Sequence, residues 1–174
     1  MKGGDDIVPV INRYVDEFIK NGDEVVYVRD WHPGKHCSFQ ENGGPWPRHC
    51  ENYTRGAEFH DDLLVQGTIF SKGMDAAHEE YSAAHDTRSP LVRYLHASNT
   101  TQIYVVGLAT DYCVKQHVLD LSQTHLSGGK WAIWVCTDAI AAVNVNEGDG
   151  DRALDDMVRA GAVTTRIRAK AAAL

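Results

Sequence analysis

Three segments, "EVVYVRD" (24–30), "TQIYVVGLA" (101–109) and "KWAIWVCTD" (130–138), run apolar, β-branched or aromatic almost throughout. A strand with one wet face would alternate; continuous runs like these must be covered on both faces, as in parallel sheets. Helical patterns fill the intervals at about 89–97 and 111–125, and another at about 149–160 precedes the short strand "GAVTT" (161–165). Near the start, Asp5 and Asp6 precede Ile7, Val10, Ile11, Tyr14, Val15 and Phe18 at three- and four-residue steps. Pro9 is tolerable in a first turn and Gly22 is placed to stop this amphipathic helix. The alternation of strand and helix predicts an α/β fold, a three-layer sandwich with a central, mostly parallel sheet between helices. At 174 residues it fits one domain over 1–174.

Residues 31–62 depart from that pattern. Pro33, Gly34, Gly43, Gly44, Pro45 and Pro47 mark a long loop, and a loop of that length inside a compact domain is usually functional. "AKAAAL" (169–174) reads as a loose or weakly helical tail. The formal charge of −7 disfavours a nucleic acid or an anionic membrane as partner and leaves a small molecule as the expected one. Association of identical chains is compatible with all of this. "MKGGDDIVPV" has no basic segment leading into an apolar core, and no apolar run approaches the roughly 20 residues of a membrane span. The expected location is cytoplasmic. Cysteines 37, 50, 113 and 136 are sparse and form no C-x-x-C pair, so reduced thiols are expected.

In open parallel sheets ligands bind beyond the carboxyl ends of the strands, and the chemically interesting residues fall there. The first strand ends in "DWHPGKH", so Asp30 and His32, two residues apart, share one side if the chain stays extended. His36 follows, and "WPRHC" supplies His49. A carboxylate with two or three imidazoles suits zinc, iron or manganese, and the ligand types do not choose among them. The same residues also read as a loop cap and solvated histidines. Lys72 in "IFSKGMD", considered alone, is a surface charge, and Cys113 in "GLATDYCVKQHVLD", considered alone, is a small core residue. Together they make chemical sense. At the amino end of a helix, unpaired N–H groups and the dipole stabilise a thiolate, a nearby ammonium adds to this, and the same N–H groups can hold an oxyanion.

"RDWHPGKHCSF", "WPRHC", "SKGMDAAHEEYSA" and "GLATDYCVKQHVLDL" stand in the order found in the nicotinamidase branch of the isochorismatase-like cysteine hydrolases, which this chain resembles over about residues 2–165. The resemblance implies that Cys113 is the nucleophile, attacking a carboxamide and releasing ammonia from a thioester that water then hydrolyses. It implies that Lys72 belongs to an Asp-Lys-Cys triad. Asp30, His32 and His49 become the ligands of one divalent metal ion, with His36 as an extra or water-mediated one. The N–H groups of Ala109 and Cys113 would form the oxyanion hole, with a cis peptide between Leu108 and Ala109. Trp46, Tyr81, Tyr112 and Leu108 would line the pocket for nicotinamide or a related aromatic amide. A flat ring suits aromatic walls, and its pyridine nitrogen suits a borderline metal.

One family element has no counterpart. The triad aspartate of these hydrolases ends a first central strand, ahead of the helix that begins here near Asp5, and no residue of this sequence matches it. The expectation is a fold without that strand, with unpaired edges on the strands ending at Asp30 and Ala109, and a turnover lowered by the lost base, by about 10²–10⁴. Asp111 and the Asp5/Asp6 pair are neighbouring carboxylates that read as helix caps. Two rival readings follow: a non-enzymatic remnant that binds a metal and a pyridine ligand or acts as a subunit, and an isochorismatase-type hydrolase acting on a vinyl ether.

Overall fold

A computed structural model describes residues 1–124 and 131–167. The helix expected near Asp5 begins as a 3-10 turn at Asp5–Ile7 and continues as α1 (Val8–Asn21), stopped by Gly22 at φ 80°. Only glycine takes that left-handed position without cost, so the stop is written in the sequence. Strand β1 (Val26–Asp30) follows, then β2 (Thr68–Lys72), α2 (Pro90–Ala97), β3 (Gln102–Leu108) and a five-residue π-turn, Thr110–Val114, that runs into α3 (Lys115–Gln123). The chain continues through β4 (Ala132–Ala141), α4 (Asp149–Arg159) and β5 (Val163–Thr165). Residues 125 and 130 of the expected helix and strand, and the expected tail at 169–174, lie outside the described residues.

Every strand pair is parallel. β1 pairs with β2, and β3, β4 and β5 form a second sheet in that order. Among the described residues β1 and β3 are not hydrogen-bonded to each other, in agreement with the expected interruption between the strands ending at Asp30 and Ala109. Strand β2 was not anticipated as a strand. Its "TIFSK" is open to solvent at Thr68 and Ile69 and buried only at Lys72, so it lacks the apolar run that marks its neighbours.

Side chains alternate across each strand and divide the core in two. Val26 and Val28 of β1 join Ile133 and Val135 of β4 beneath Leu91, Val92, Val118 and Met157 from α2, α3 and α4. Tyr27 of β1 and Cys136 of β4 face the other way, onto Ile7, Ile11, Tyr14 and Val15 at and within α1. Helices therefore cover both faces. The long segment 31–62 contains two 3-10 turns, Gln40–Asn42 and Arg55–Ala57, and is pinned by bridges between His32 and Glu51 and between Phe39 and Trp46. It lies across the carboxyl ends of the strands, where the candidate site forms.

Candidate active site

Parallel register does the first work of assembly. β1 and β2 pair Asp30 with Lys72 at their carboxyl ends. Lys72 is almost fully buried, and its ammonium donates to the Asp30 carboxylate, to the Glu80 carbonyl at 3.0 Å and to the Cys113 sulfur at 3.3 Å. Cys113 arrives from the second sheet, through the cis peptide Leu108–Ala109 and the π-turn. π-helical turns of this kind occur often at functional sites.

The electrostatics are coupled. Burial opposes the Lys72 ammonium, yet the Cys113 sulfur and the Asp30 carboxylate outweigh it and hold the lysine pKa above its ordinary value. Burial pushes the Cys113 thiol up, and Asp30 adds to this, while Lys72 and the Ala109 N–H pull it back without cancelling the rise. The thiol therefore needs a proton acceptor at neutral pH.

Asp30, His32 and His49 present ligand atoms that all lie within 4.8 Å of one another. The supporting hydrogen bonds fit a metal site. His32 Nδ1–H donates to the Gly73 carbonyl at 2.9 Å and His49 Nδ1–H to the Pro47 carbonyl at 2.8 Å, which leaves each Nε2 lone pair for an ion. Burial also lowers the His32 pKa, so the ring is the neutral imidazole that ligation requires. His36 is placed differently. Its ring is fully buried, Nδ1 faces the Ser38 hydroxyl at 2.7 Å, Nε2 faces the His78 carbonyl at 3.1 Å, and it lies outside the ligand cluster. It stacks on His32 with centroids 4.1 Å apart and steadies that ring.

Beside the thiol, Trp46, Tyr81 and Tyr112 form an aromatic group. Trp46 Nε1–H donates to the Tyr81 hydroxyl at 3.0 Å, and Tyr112 packs edge-on to Trp46 with centroids 4.8 Å apart. Tyr81 and Tyr112 are 5.7 Å apart. Leu108, expected with them, is 46% exposed and is turned toward Gly4.

Two further expectations are corrected. Asp111 does not cap its own helix; its two oxygens accept the N–H groups of Val143 and Asn144, fastening the π-turn to the end of β4. The 3-10 turn at Asp5 and Asp6 begins at Gly4 and has no side-chain cap. Sequence reasoning also passed over Cys50, whose thiol burial pushes up to about 11, with the nearby Asp30 adding to the rise. It also passed over His117, whose Nδ1–H donates to the Cys113 carbonyl at 2.8 Å while Nε2 accepts the Ala83 N–H at 2.9 Å.

The isochorismatase domain family matches residues 1–169. The chain belongs to that family. Among curated proteins it is 35% identical to the nicotinamidase of Escherichia coli over 91% of this chain and 82% of that one, and 29% identical to the nicotinamidase/pyrazinamidase of Mycobacterium tuberculosis over 72% and 70%. Among solved structures, the pyrazinamidase of Pyrococcus horikoshii in complex with zinc superposes with a TM-score of 0.86 at 35% identity, covering 96% of this chain and 88% of that one. PnC1 from L. infantum in complex with nicotinate gives 0.80 at 27% identity, over 95% and 81%. The chain is thus an amide hydrolase of nicotinamidase type by resemblance, and its α/β architecture is that of this family.

His117 carries a stability consequence. Burial lowers its pKa from 6.5 to about 4, with the backbone bond to Cys113 opposing the change. Below pH 6.5 the unfolded chain takes up a proton that the folded chain refuses, so stability falls as pH drops from about 6.5 to 4 and levels off below that. The full window amounts to about 3 kcal/mol. Urea midpoints at pH 7 and pH 4.5 should therefore differ less in His117→Gln than in the unmodified protein; an equal difference in both would show that other groups govern acid sensitivity.

Proposed function

We propose that this protein hydrolyses nicotinamide, or a closely related aromatic amide, to the carboxylate and ammonia. The observation that carries the reading is the contact of Cys113 with Lys72 beside the Asp30–His32–His49 cluster. Cys113 Sγ attacks the carboxamide carbon, and the developing oxyanion meets the N–H groups of Ala109 and Cys113. Lys72 stabilises the thiolate. Collapse breaks the C–N bond, the nitrogen leaves as ammonia with the proton given up by the thiol, and a thioester remains on Cys113; water then adds to the thioester, its oxygen leaving in the acid and one of its protons returning to the sulfur. Trp46, Tyr81 and Tyr112 hold the ring, and Asp30, His32 and His49 would hold a divalent ion. When bound, that ion supplies a Lewis acid able to accept a pyridine nitrogen and orient the ring.

A second reading, a metal- and pyridine-binding protein without turnover, is favoured by one feature. Among the described residues Asp30 is the carboxylate in contact with Lys72, and it also belongs to the cluster that could hold a metal, so an ion there would leave the raised Cys113 thiol without a separate base beside it. Ammonia release from nicotinamide by the folded, zinc-, iron- or manganese-supplemented chain separates the two. Turnover that depends on Cys113 supports the hydrolase; ligand binding with no ammonia supports the second reading.

The metal assignment has its own test. His49→Ala should lower zinc affinity by more than the 10–100-fold typical of losing a supporting hydrogen bond, and His36→Ala should leave the bound zinc in place, both read by elemental analysis after dialysis. Gly73→Ala belongs with His49→Ala. At φ 63° the added methyl would collide with the His32 ring. Zinc retained in His49→Ala would remove that residue from the ligand set.

A further inference from the structure

We infer that His117 is a positioning residue, acting as a neutral Nδ1–H imidazole that fixes the nucleophile's turn against the segment that holds Lys72 and the aromatic wall. Its two partners have fixed polarity. The Ala83 amide can only donate and the Cys113 carbonyl can only accept, so Nε2 must carry the lone pair and Nδ1 the proton. The ring therefore bridges α3 to residues 80–84. That segment provides the Glu80 carbonyl that anchors the Lys72 ammonium and the Tyr81 hydroxyl that anchors Trp46. The Glu80 carboxylate is turned away, accepting the Gly73 N–H. One imidazole thus sets where Cys113 stands relative to both its cation and its pocket.

The surroundings keep the ring neutral. Burial is the largest influence; the Lys72 ammonium on β2 acts in the same direction, and Asp120 on α3 and Asp30 on β1 oppose it. A protonated ring would set Nε2–H against the Ala83 N–H and break the bridge. In the helix pattern of "CVKQHVLD" this residue looks like one more polar position, and only the approach of residues 80–84 reveals the second contact.

The inference rests on Cys113 being the reactive thiol and not on nicotinamide being the substrate, and the experiment keeps the two apart. Long-range ¹⁵N–¹H correlation on the unmodified protein between pH 5.5 and 8 should show His117 as the Nδ1–H tautomer throughout. An Nε2–H tautomer or an imidazolium would overturn the inference, whether or not any variant folds. In parallel, iodoacetamide alkylation of Cys113, followed on its own peptide by mass spectrometry, is measured against pH. In His117→Leu the Cys113 midpoint should rise by about one unit, because the thiolate loses its set distance from Lys72. His117→Gln, whose carboxamide can donate and accept in the same two directions, should restore the original midpoint. A purely structural role would lower thermal stability without moving that midpoint in the folded fraction, and an unmoved midpoint in His117→Leu, or a glutamine variant no better than leucine, would sink the idea. Alkylation behaving as expected in a chain that releases no ammonia would support the positioning role and count against the substrate reading.

Discussion

Cys113→Ala should lower ammonia release from nicotinamide by about 10⁴-fold or more, with metal content and circular dichroism expected to stay unchanged. The expected size follows from what the substitution removes and what it leaves. Cys113 Sγ is the sulfur in contact with the Lys72 ammonium. Alanine deletes it while sparing the Asp30–His32–His49 cluster and the aromatic group, so binding should persist. Cys50 cannot take over, because its thiol is pushed up to about 11 and is almost wholly protonated at neutral pH. Cys113→Ser should fare little better, since a hydroxyl is a far weaker nucleophile without a strong base and the unmodified site already holds its thiol above the ordinary pKa. The measurement is ammonia release under substrate saturation, together with a mass search for an acyl adduct on the Cys113 peptide of the unmodified chain. Equal rates with and without the sulfur would remove Cys113 from the chemistry altogether.

β1, β3 and β4 were legible from their nearly continuous apolar runs, and the short β5 from its place after a helical pattern. β2 escaped because its first residues face solvent and its last is a lysine, so neither a continuous run nor a clean alternation remains to be read. The Asp30–His32–His49 cluster was half legible: D-x-H on an extended segment puts two of its side chains together, but only folding of the 31–62 loop brings His49 to them. His36 shows the limit of residue type as evidence. The spacing that made it a candidate ligand cannot show that Ser38 and the His78 carbonyl occupy its nitrogens. Asp111 and His117 were illegible for a related reason. Their decisive partners are backbone amides 32 to 34 residues away, and a backbone amide has no signature in the sequence.

Lys72→Met should be the second most damaging change, and its effect should depend on the metal. Methionine fills much of the same volume, so the loss is mainly that of a charge. With the ammonium gone, Cys113 loses the influence that offsets burial, its thiolate becomes scarcer, and turnover falls by about 10²–10⁴. Asp30 loses its cation as well. Its side chain is 22% exposed, so water screens part of the cost, and the destabilisation in metal-free protein should be about 1–3 kcal/mol, below that of a fully buried orphaned charge. Zinc held by the Asp30–His32–His49 cluster would supply positive charge to the same carboxylate. Denaturant midpoints with and without zinc should therefore converge toward the unmodified protein in the loaded state and separate in the free state. Destabilisation of the same size in both states would mean that Lys72 contributes through its Glu80 carbonyl bond and not through Asp30. Convergence would show that the Asp30 carboxylate can be balanced either by the Lys72 ammonium or by zinc.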